Sequence, residues 1–341
     1  MIGFGNVGQE FARLIISRRD WLLKYKSLDV EILSIATKTR GSLSSKKPLD
    51  IERVLKELNN NGSLVKYGPE STTHSPVTII EETEADMMIE LTPLNIDTGQ
   101  PAIDHIKRAF EVGMDVVTAN KGPIAFAYNE LRNMARSYSA HFRFEGTVMD
   151  GTPIFSLVER TLPGCEILGV SGILNSTSNF VLDEMNKGWS METAVKEAQK
   201  LGFAEADPTL DIDGWDSAAK ITALANVLMD SRMTPKAVDR KGIAGMTQGD
   251  IRKASKEGKK VKLIASATRS GSAVSLSVKP QLIGPEHPFW SVDGTSSALT
   301  LKTDLMGDLT IFESAPLVTQ TAYAIFSDML LTVESIRTGT I

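Results

Sequence analysis

Lys220 is the only charged residue between Ser217 and Met229, and Asp216 stands four positions before it. An ammonium in so apolar a stretch is costly unless paired or exposed. The i,i+4 spacing puts a carboxylate on the same helix face. A lysine positioned in this way can donate a proton to a carbonyl oxygen while hydride arrives at the carbon. On a solvated face the same pair would be worth only about 0.2–0.5 kcal/mol. Glu205, Asp207, Asp211, Asp213 and Asp216 bring five carboxylates into the twelve residues from 205 to 216. Such a cluster can bind the ammonium of an amino-acid substrate, with Glu205, Asp211 and Asp216 as the expected contacts. It lacks the fixed acid spacing, central glycine and closing glutamate of a calcium loop.

A second chemistry sits at the start of the chain. Gly3-Phe4-Gly5-Asn6-Val7-Gly8 matches G-x-G-x-x-G and opens into a helical pattern. In that motif the first glycine makes a tight turn and the second lets backbone approach a pyrophosphate. The third lets helix pack on strand, with phosphate at the helix N-terminus. Gly3, Gly5, Asn6, Val7 and Gly8 are therefore expected to hold a dinucleotide. The next strand ends at Thr37-Lys38-Thr39-Arg40 without the acid that would hold a ribose 2′-hydroxyl. Thr37, Lys38 and Arg40 instead suit a 2′-phosphate, so NADP is expected, with NAD as the alternative. Thr92, Asn120 and Lys121 follow two later strands and point to the crevice beyond the strand ends where ligands bind. Lys121 is thus a candidate for both cofactor and substrate contact. Gly202 is a further candidate contact to the cofactor.

These residues need a scaffold, and the hydrophobic rhythm describes one. Residues 30–36, 85–91, 115–118 and 141–148 read as strands, and 11–22, 48–58, 102–110 and 125–136 as helices. That alternation predicts a doubly wound, Rossmann-type parallel sheet in an α/β domain. Only Met1 and Ile2 precede Gly3, against about five residues in an ordinary strand. The first strand is therefore a stub, or further apolar residues precede Met1 in the natural chain. After residue 147 the rhythm changes. Residues 154–162, 179–185, 191–201 and 215–229 read as helices, and 167–174, 260–267, 274–282 and 295–303 as strands. This is an α+β region. The expected division is 1–147 for the dinucleotide and 148–316 for substrate, catalysis and dimerisation, with a helix at 317–335 packing back on the first domain.

Composition narrows the function. The 341 residues carry 37 Lys+Arg and 42 Asp+Glu, a net charge of −5, which argues against a nucleic-acid partner. No run is apolar enough to span a membrane, and no signal peptide is visible. The one cysteine, Cys165, excludes a disulfide framework or a cysteine-based metal site within the chain. His74, His105, His141 and His287 show no ligand spacing. A cytoplasmic enzyme acting on a small molecule is expected.

Several motifs together resemble the homoserine dehydrogenase family. They are the glycine fingerprint, Thr118-Ala119-Asn120-Lys121-Gly122-Pro123, residues 145–153 (Glu-Gly-Thr-Val-Met-Asp-Gly-Thr-Pro), residues 172–180 (Gly-Ile-Leu-Asn-Ser-Thr-Ser-Asn-Phe) and the acidic stretch through Lys220. The resemblance runs in order over nearly the whole chain. It implies interconversion of L-homoserine and L-aspartate 4-semialdehyde with NAD(P), in threonine and methionine biosynthesis. It also implies Lys220 as proton donor, Glu205 and Asp216 holding homoserine, and Lys121 beside substrate and nicotinamide. A monovalent cation, usually sodium, is implied on the loop of Glu145, Val148, Asp150 and Thr152, largely through backbone carbonyls. A homodimer through the substrate domain is implied as well, with the strands of 260–303 as the place for a shared sheet. One departure is Glu313-Ser314-Ala315-Pro316-Leu317, where the family has a glycine-rich loop. The chain is also short for an appended regulatory domain or kinase. The competing readings are another NAD(P)-dependent reductase of a small amino or keto acid, and a silent NAD(P) sensor.

Overall fold

The computed structural model describes residues 1–339. Contacts divide the chain into two compact units. One comprises Met1–Pro123, Ala127–Pro153 and the stretch from Leu317 on; the other comprises Ile124–Phe126 and Ile154–Pro316.

In the first unit, α1 (Asn6–Trp21) runs on into a π-helical turn at Leu22–Lys26. There follow β1 (Ser34–Ile35), β2 (Ser42–Ser44), α2 (Ile51–Asn61), β3 (Ser71–Thr72), α3 (Pro76–Glu82) and β4 (Met87–Glu90). Then come α4 (Ala102–Glu111), β5 (Asp115–Thr118), α5 (Lys121–Ser137) and β6 (Phe142–Arg143). Strands β4, β5 and β6 pair in parallel, and Ile2 bridges in parallel to both Ala36 and Glu90. The chain at Ile2 therefore lies between β1 and β4, which gives the expected parallel sheet. Apolar clusters pack around it. One joins Phe4, Ala12, Ile35, Val54 and Leu58; another joins Phe11, Ile15, Ile89 and Val117 with Ala322, Ile325 and Phe326 of the last helix. Each large apolar side chain buried in this way contributes about 1.5–3 kcal/mol.

Two strands are shorter than the pattern predicts. The strand expected over 30–36 reduces to β1 because the carbonyls of Ile32 and Leu33 accept from Leu49 and Ser45 instead. The strand expected over 141–148 stops at Arg143, where the chain tightens into a 3-10 turn at Glu145–Thr147. The Thr147 hydroxyl donates to the Phe144 carbonyl at 2.8 Å and holds that turn. Helix α5 starts at Lys121, earlier than periodicity suggests, because the Asn120 side chain accepts from Gly122 N–H and caps it.

In the second unit, α6 (Phe155–Thr161), β7 (Ile167–Ile173), α7 (Ser176–Asn186), α8 (Met191–Lys200), the short α9 (Thr209–Ile212) and α10 (Trp215–Leu228) come first. They are followed by β8 (Asp239–Arg240), α11 (Gln248–Lys256), β9 (Lys260–Ser270), β10 (Ala273–Ile283), β11 (Ser297–Thr303) and β12 (Asp308–Glu313). The sheet order is β12-β11-β7-β9-β10-β8, antiparallel except where β8 joins β10. Helix α12 (Val318–Thr338) returns to the first unit and packs on α1 and β5. Among the described residues no helix is long and apolar enough to cross a membrane.

Candidate active site

The three fingerprint glycines occupy three different environments. Gly3 has φ +93°, and a Cβ there would stand 2.5 Å from the Leu91 carbonyl oxygen, so neither the turn nor the space admits a side chain. Gly8 sits against Gly3 and Leu91, where helix meets strand. Gly5, the N-cap of α1, has no protein atom within 4 Å of its would-be Cβ. Open space beside bare backbone at the start of a 16-residue helix with no acid in its first turn suits an anion.

The basic loop after β1 is folded by its own threonine. The Thr37 hydroxyl donates to the Gly41 carbonyl at 2.6 Å and accepts from Arg40 N–H at 2.9 Å. Leu64 N–H donates to the Arg40 carbonyl at 2.6 Å. The backbone of the loop is thus fixed, while Lys38 is exposed and Arg40 partly so. Thr37, which sequence placed among the phosphate ligands, has its hydroxyl committed to the turn.

In the second unit the acids separate into two groups. Asp211 and Asp216 are gathered by Asn175, whose Nδ2 donates to Asp211 Oδ1 at 2.7 Å and to Asp216 Oδ2 at 3.0 Å. The other side-chain atom, Asn175 Oδ1, accepts from Ser178 N–H at 2.8 Å and caps α7. Lys220 Nζ lies 3.2 Å from Asp216 Oδ2 and donates to the Leu174 carbonyl at 2.7 Å. The side chains of Lys220 and Asp216 are 17% and 13% exposed, neither sealed in the core nor free in water. Burial and the nearby Asp216 charge push the Asp211 carboxyl above the usual carboxylate range, against the pull of Thr177, Asn175 and Lys220. Glu205 and Asp207 are not part of this group. Glu205 is exposed, and Asp207 accepts from Thr209 in its own turn. The Asp213 carbonyl takes a short bond from Arg240, whose guanidinium stacks 3.8 Å from the Trp215 ring. Gly202, at φ +84° and exposed, terminates α8.

Asn175 is the site residue that the sequence did not single out for a role. The signal was present: an asparagine ahead of Ser176-Thr177-Ser178 at a strand's end is a helix cap. Its second duty, bridging two acids some forty residues on, is visible only in three dimensions.

On the loop proposed for a cation, Glu145, Val148 and Thr152 are buried, and Asp150 adopts φ +44°. Asp328 accepts from Glu145 N–H at 2.8 Å, and Asp150 Oδ1 accepts from the Thr321 hydroxyl at 2.9 Å. Among the described residues no cluster of three or more His, Cys, Asp or Glu side chains could hold a metal. Any ion here would be held by carbonyl and hydroxyl oxygens, the donor set that hard cations accept.

Comparison with known proteins identifies the family. The NAD-binding domain model of homoserine dehydrogenase matches residues 3–145, and the homoserine dehydrogenase model matches 153–330. An NAD(+)-dependent homoserine dehydrogenase of Pseudomonas canavaninivorans is 36% identical over 331 residues, covering 97% of this chain and 94% of that protein. A homoserine dehydrogenase of Methanocaldococcus jannaschii is 37% identical over 332 residues, covering 97% and 96%. The crystal structure of a homoserine dehydrogenase from Thiobacillus denitrificans superposes with a TM-score of 0.82 at 28% identity, covering 99% of this chain and 73% of that one. With both halves matched and the Pseudomonas and Methanocaldococcus relatives spanned nearly end to end, the chain belongs to the homoserine dehydrogenase family, NAD(P)-dependent oxidoreductases of amino-acid biosynthesis.

Proposed function

We propose that Lys220 is the general acid–base of the interconversion of L-homoserine and L-aspartate 4-semialdehyde, held by Asp216 and the Leu174 carbonyl. The carrying observation is the Lys220 ammonium on a helix whose one other charge is Asp216, 3.2 Å from that carboxylate and 2.7 Å from Leu174 O. Bound nicotinamide supplies or accepts the hydride. When the aldehyde is reduced, Lys220 gives its proton to the forming alkoxide; in the reverse direction it takes the hydroxyl proton. Asp216 holds the lysine in place through their ion pair, and Asp211 with Asp216 offers negative charge to the substrate ammonium. Glu205 is a further substrate ligand, and Lys121 works beside substrate and nicotinamide. Gly3, Gly5, Asn6, Val7 and Gly8 hold the pyrophosphate, while Thr92, Asn120 and Gly202 complete the cofactor contacts.

The cofactor we favour is NADP. Lys38 and Arg40 stand on a pinned loop whose residues 37–41 include no carboxylate, and two cations can bind a 2′-phosphate through charge-assisted hydrogen bonds. Sodium on the carbonyls of Glu145, Val148, Asp150 and Thr152, a homodimer through the β9–β11 region and a cytoplasmic setting complete the reading.

The test is homoserine oxidation by the purified protein with each cofactor, alongside a Lys38→Gln/Arg40→Gln double variant. Loss of both cations should raise the KM for NADP roughly ten- to a hundredfold, since hydrogen bonds to charged groups contribute about 1.5–3 kcal/mol. The KM for NAD should hardly move. Equal effects on both cofactors would defeat the NADP assignment, and no oxidation with either would defeat the catalytic one.

A further inference from the structure

A carboxylate with no assigned role lies under the two loops that carry Thr92 and Lys121. Glu90, the last residue of β4, is fully buried. Its Oε1 accepts from Thr92 N–H at 3.1 Å and, in a very short bond, from the Thr92 hydroxyl. Its Oε2 accepts from the Thr118 hydroxyl at 3.1 Å, a proton shared with the Glu90 carbonyl at 3.0 Å. Each threonine oxygen in turn accepts from Asn120. The backbone N–H of Asn120 donates to Thr118 Oγ1 at 3.0 Å, and its Nδ2 donates to Thr92 Oγ1 at 3.3 Å. With Nδ2 turned that way, Asn120 Oδ1 faces Gly122 N–H at 2.9 Å and caps α5, whose first residue is Lys121. His105, also buried, brings Nδ1 to 3.9 Å from Glu90 Oε1.

The direction of this chain is set at one end. An ionised carboxylate can only accept, whereas a hydroxyl can donate or accept and an amide can turn over. Both threonine hydroxyls donate toward Glu90 and present lone pairs to Asn120. That fixes which way the Asn120 amide faces. A neutral amide at position 90 replaces one acceptor oxygen by an NH2 group with two donors, turns one of them toward a threonine that now donates to this side chain, and so reverses that bond. We propose that Glu90 is a positioning residue for the reaction. It acts through Thr92, Thr118 and Asn120 to fix the start of α5 and so the place of Lys121. The inference rests on the reading of Lys121 as a residue at the reacting centre.

The experiment compares wild type with Glu90→Gln, Thr118→Val, Thr118→Ser and Lys121→Met. It reads kcat and KM for homoserine and the dissociation constant for NADPH by fluorescence, on protein whose circular dichroism matches wild type. Glu90→Gln should lower kcat/KM about tenfold or more, the size of effect expected when a hydrogen bond to a charged group is lost. Thr118→Val, which keeps the shape without the hydroxyl, should fall in the same direction. Thr118→Ser should recover what Thr118→Val loses. A purely packing role for these residues would change the unfolding midpoint but leave kcat and KM of folded protein alone. Folded Glu90→Gln with wild-type kinetics overturns the inference. Should Glu90→Gln not fold, wild-type kinetics in Thr118→Val overturn it equally. If Lys121→Met itself has wild-type kinetics, the underlying reading of Lys121 is what falls.

Discussion

Replacing Lys220 by methionine keeps an unbranched stem of similar length and removes the ammonium. The 3.2 Å separation from Asp216 corresponds to about 5 kcal/mol of Coulomb attraction at an effective dielectric of about 20, before the cost of desolvating both groups. The substitution therefore takes away the proton donor and leaves Asp216 beside Asp211 without its cation. General acid–base catalysis by a placed side chain is worth roughly 10²–10⁴ in rate, or about 3–5 kcal/mol of barrier. Stopped-flow measurement of homoserine oxidation should show kcat reduced by that factor. The NADPH dissociation constant should stay near the wild-type value, because the fingerprint glycines belong to the other unit. A methionine variant with kcat within about tenfold of wild type would refute the argument and reduce Lys220 to a structural ion pair.

Other outcomes follow from the same geometry. Burial and Asp216 raise the Asp211 pKa in the folded state, so its protonated form favours folding. That contribution is intact below the unfolded-state value of about 4 and is lost as pH rises through the higher folded value. Asp211→Asn should therefore melt higher than wild type at pH 7 and equal to it in acid, while binding homoserine less well; a lower melting temperature at pH 7 would contradict this. Gly3→Ala should destabilise by about 2 kcal/mol or more in urea titration, from a strained φ and a clash with Leu91. Gly5→Ala, with open space around it, should fold normally and lose about tenfold or more in NADPH affinity. Ala315 holds φ +43°, so Ala315→Gly should raise stability by about 1 kcal/mol, and a falling urea midpoint would count against the strain.

The glycine fingerprint and the Asp216–Lys220 pair were legible because both are local. One is a turn and the other a single helical step. The α/β alternation was legible for the same reason, since burial imposes period on each segment separately. What periodicity could not supply was competition between distant partners. The carbonyls of Ile32 and Leu33 are claimed by Leu49 and Ser45, and nothing in residues 30–36 announces this. Strand β12 was missed because, as an edge strand, its inward-facing residues are only half covered, so Asp308–Glu313 carries a weak apolar signal. The acidic stretch was over-read. Five carboxylates close in sequence suggested one cluster, yet only Asp211 and Asp216 reach Asn175, while Asp207 serves its own turn. In the glycine-free loop of residues 313–317, Ala315 takes up the left-handed conformation that glycine would adopt more easily.

Helix α10 carries Lys220 on a rod that is apolar almost all round, with Ala218, Ala219, Ile221, Ala223, Leu224 and Ala225 all buried. Such a rod has no wet side on which to roll, and its neighbours β9, β10 and α9 hold it from several directions. Small local openings, which loosen loops and chain ends first, should leave it in place. Heating ought then to switch the enzyme off abruptly, in step with cooperative melting of its own unit, with no gradual fading of turnover beforehand.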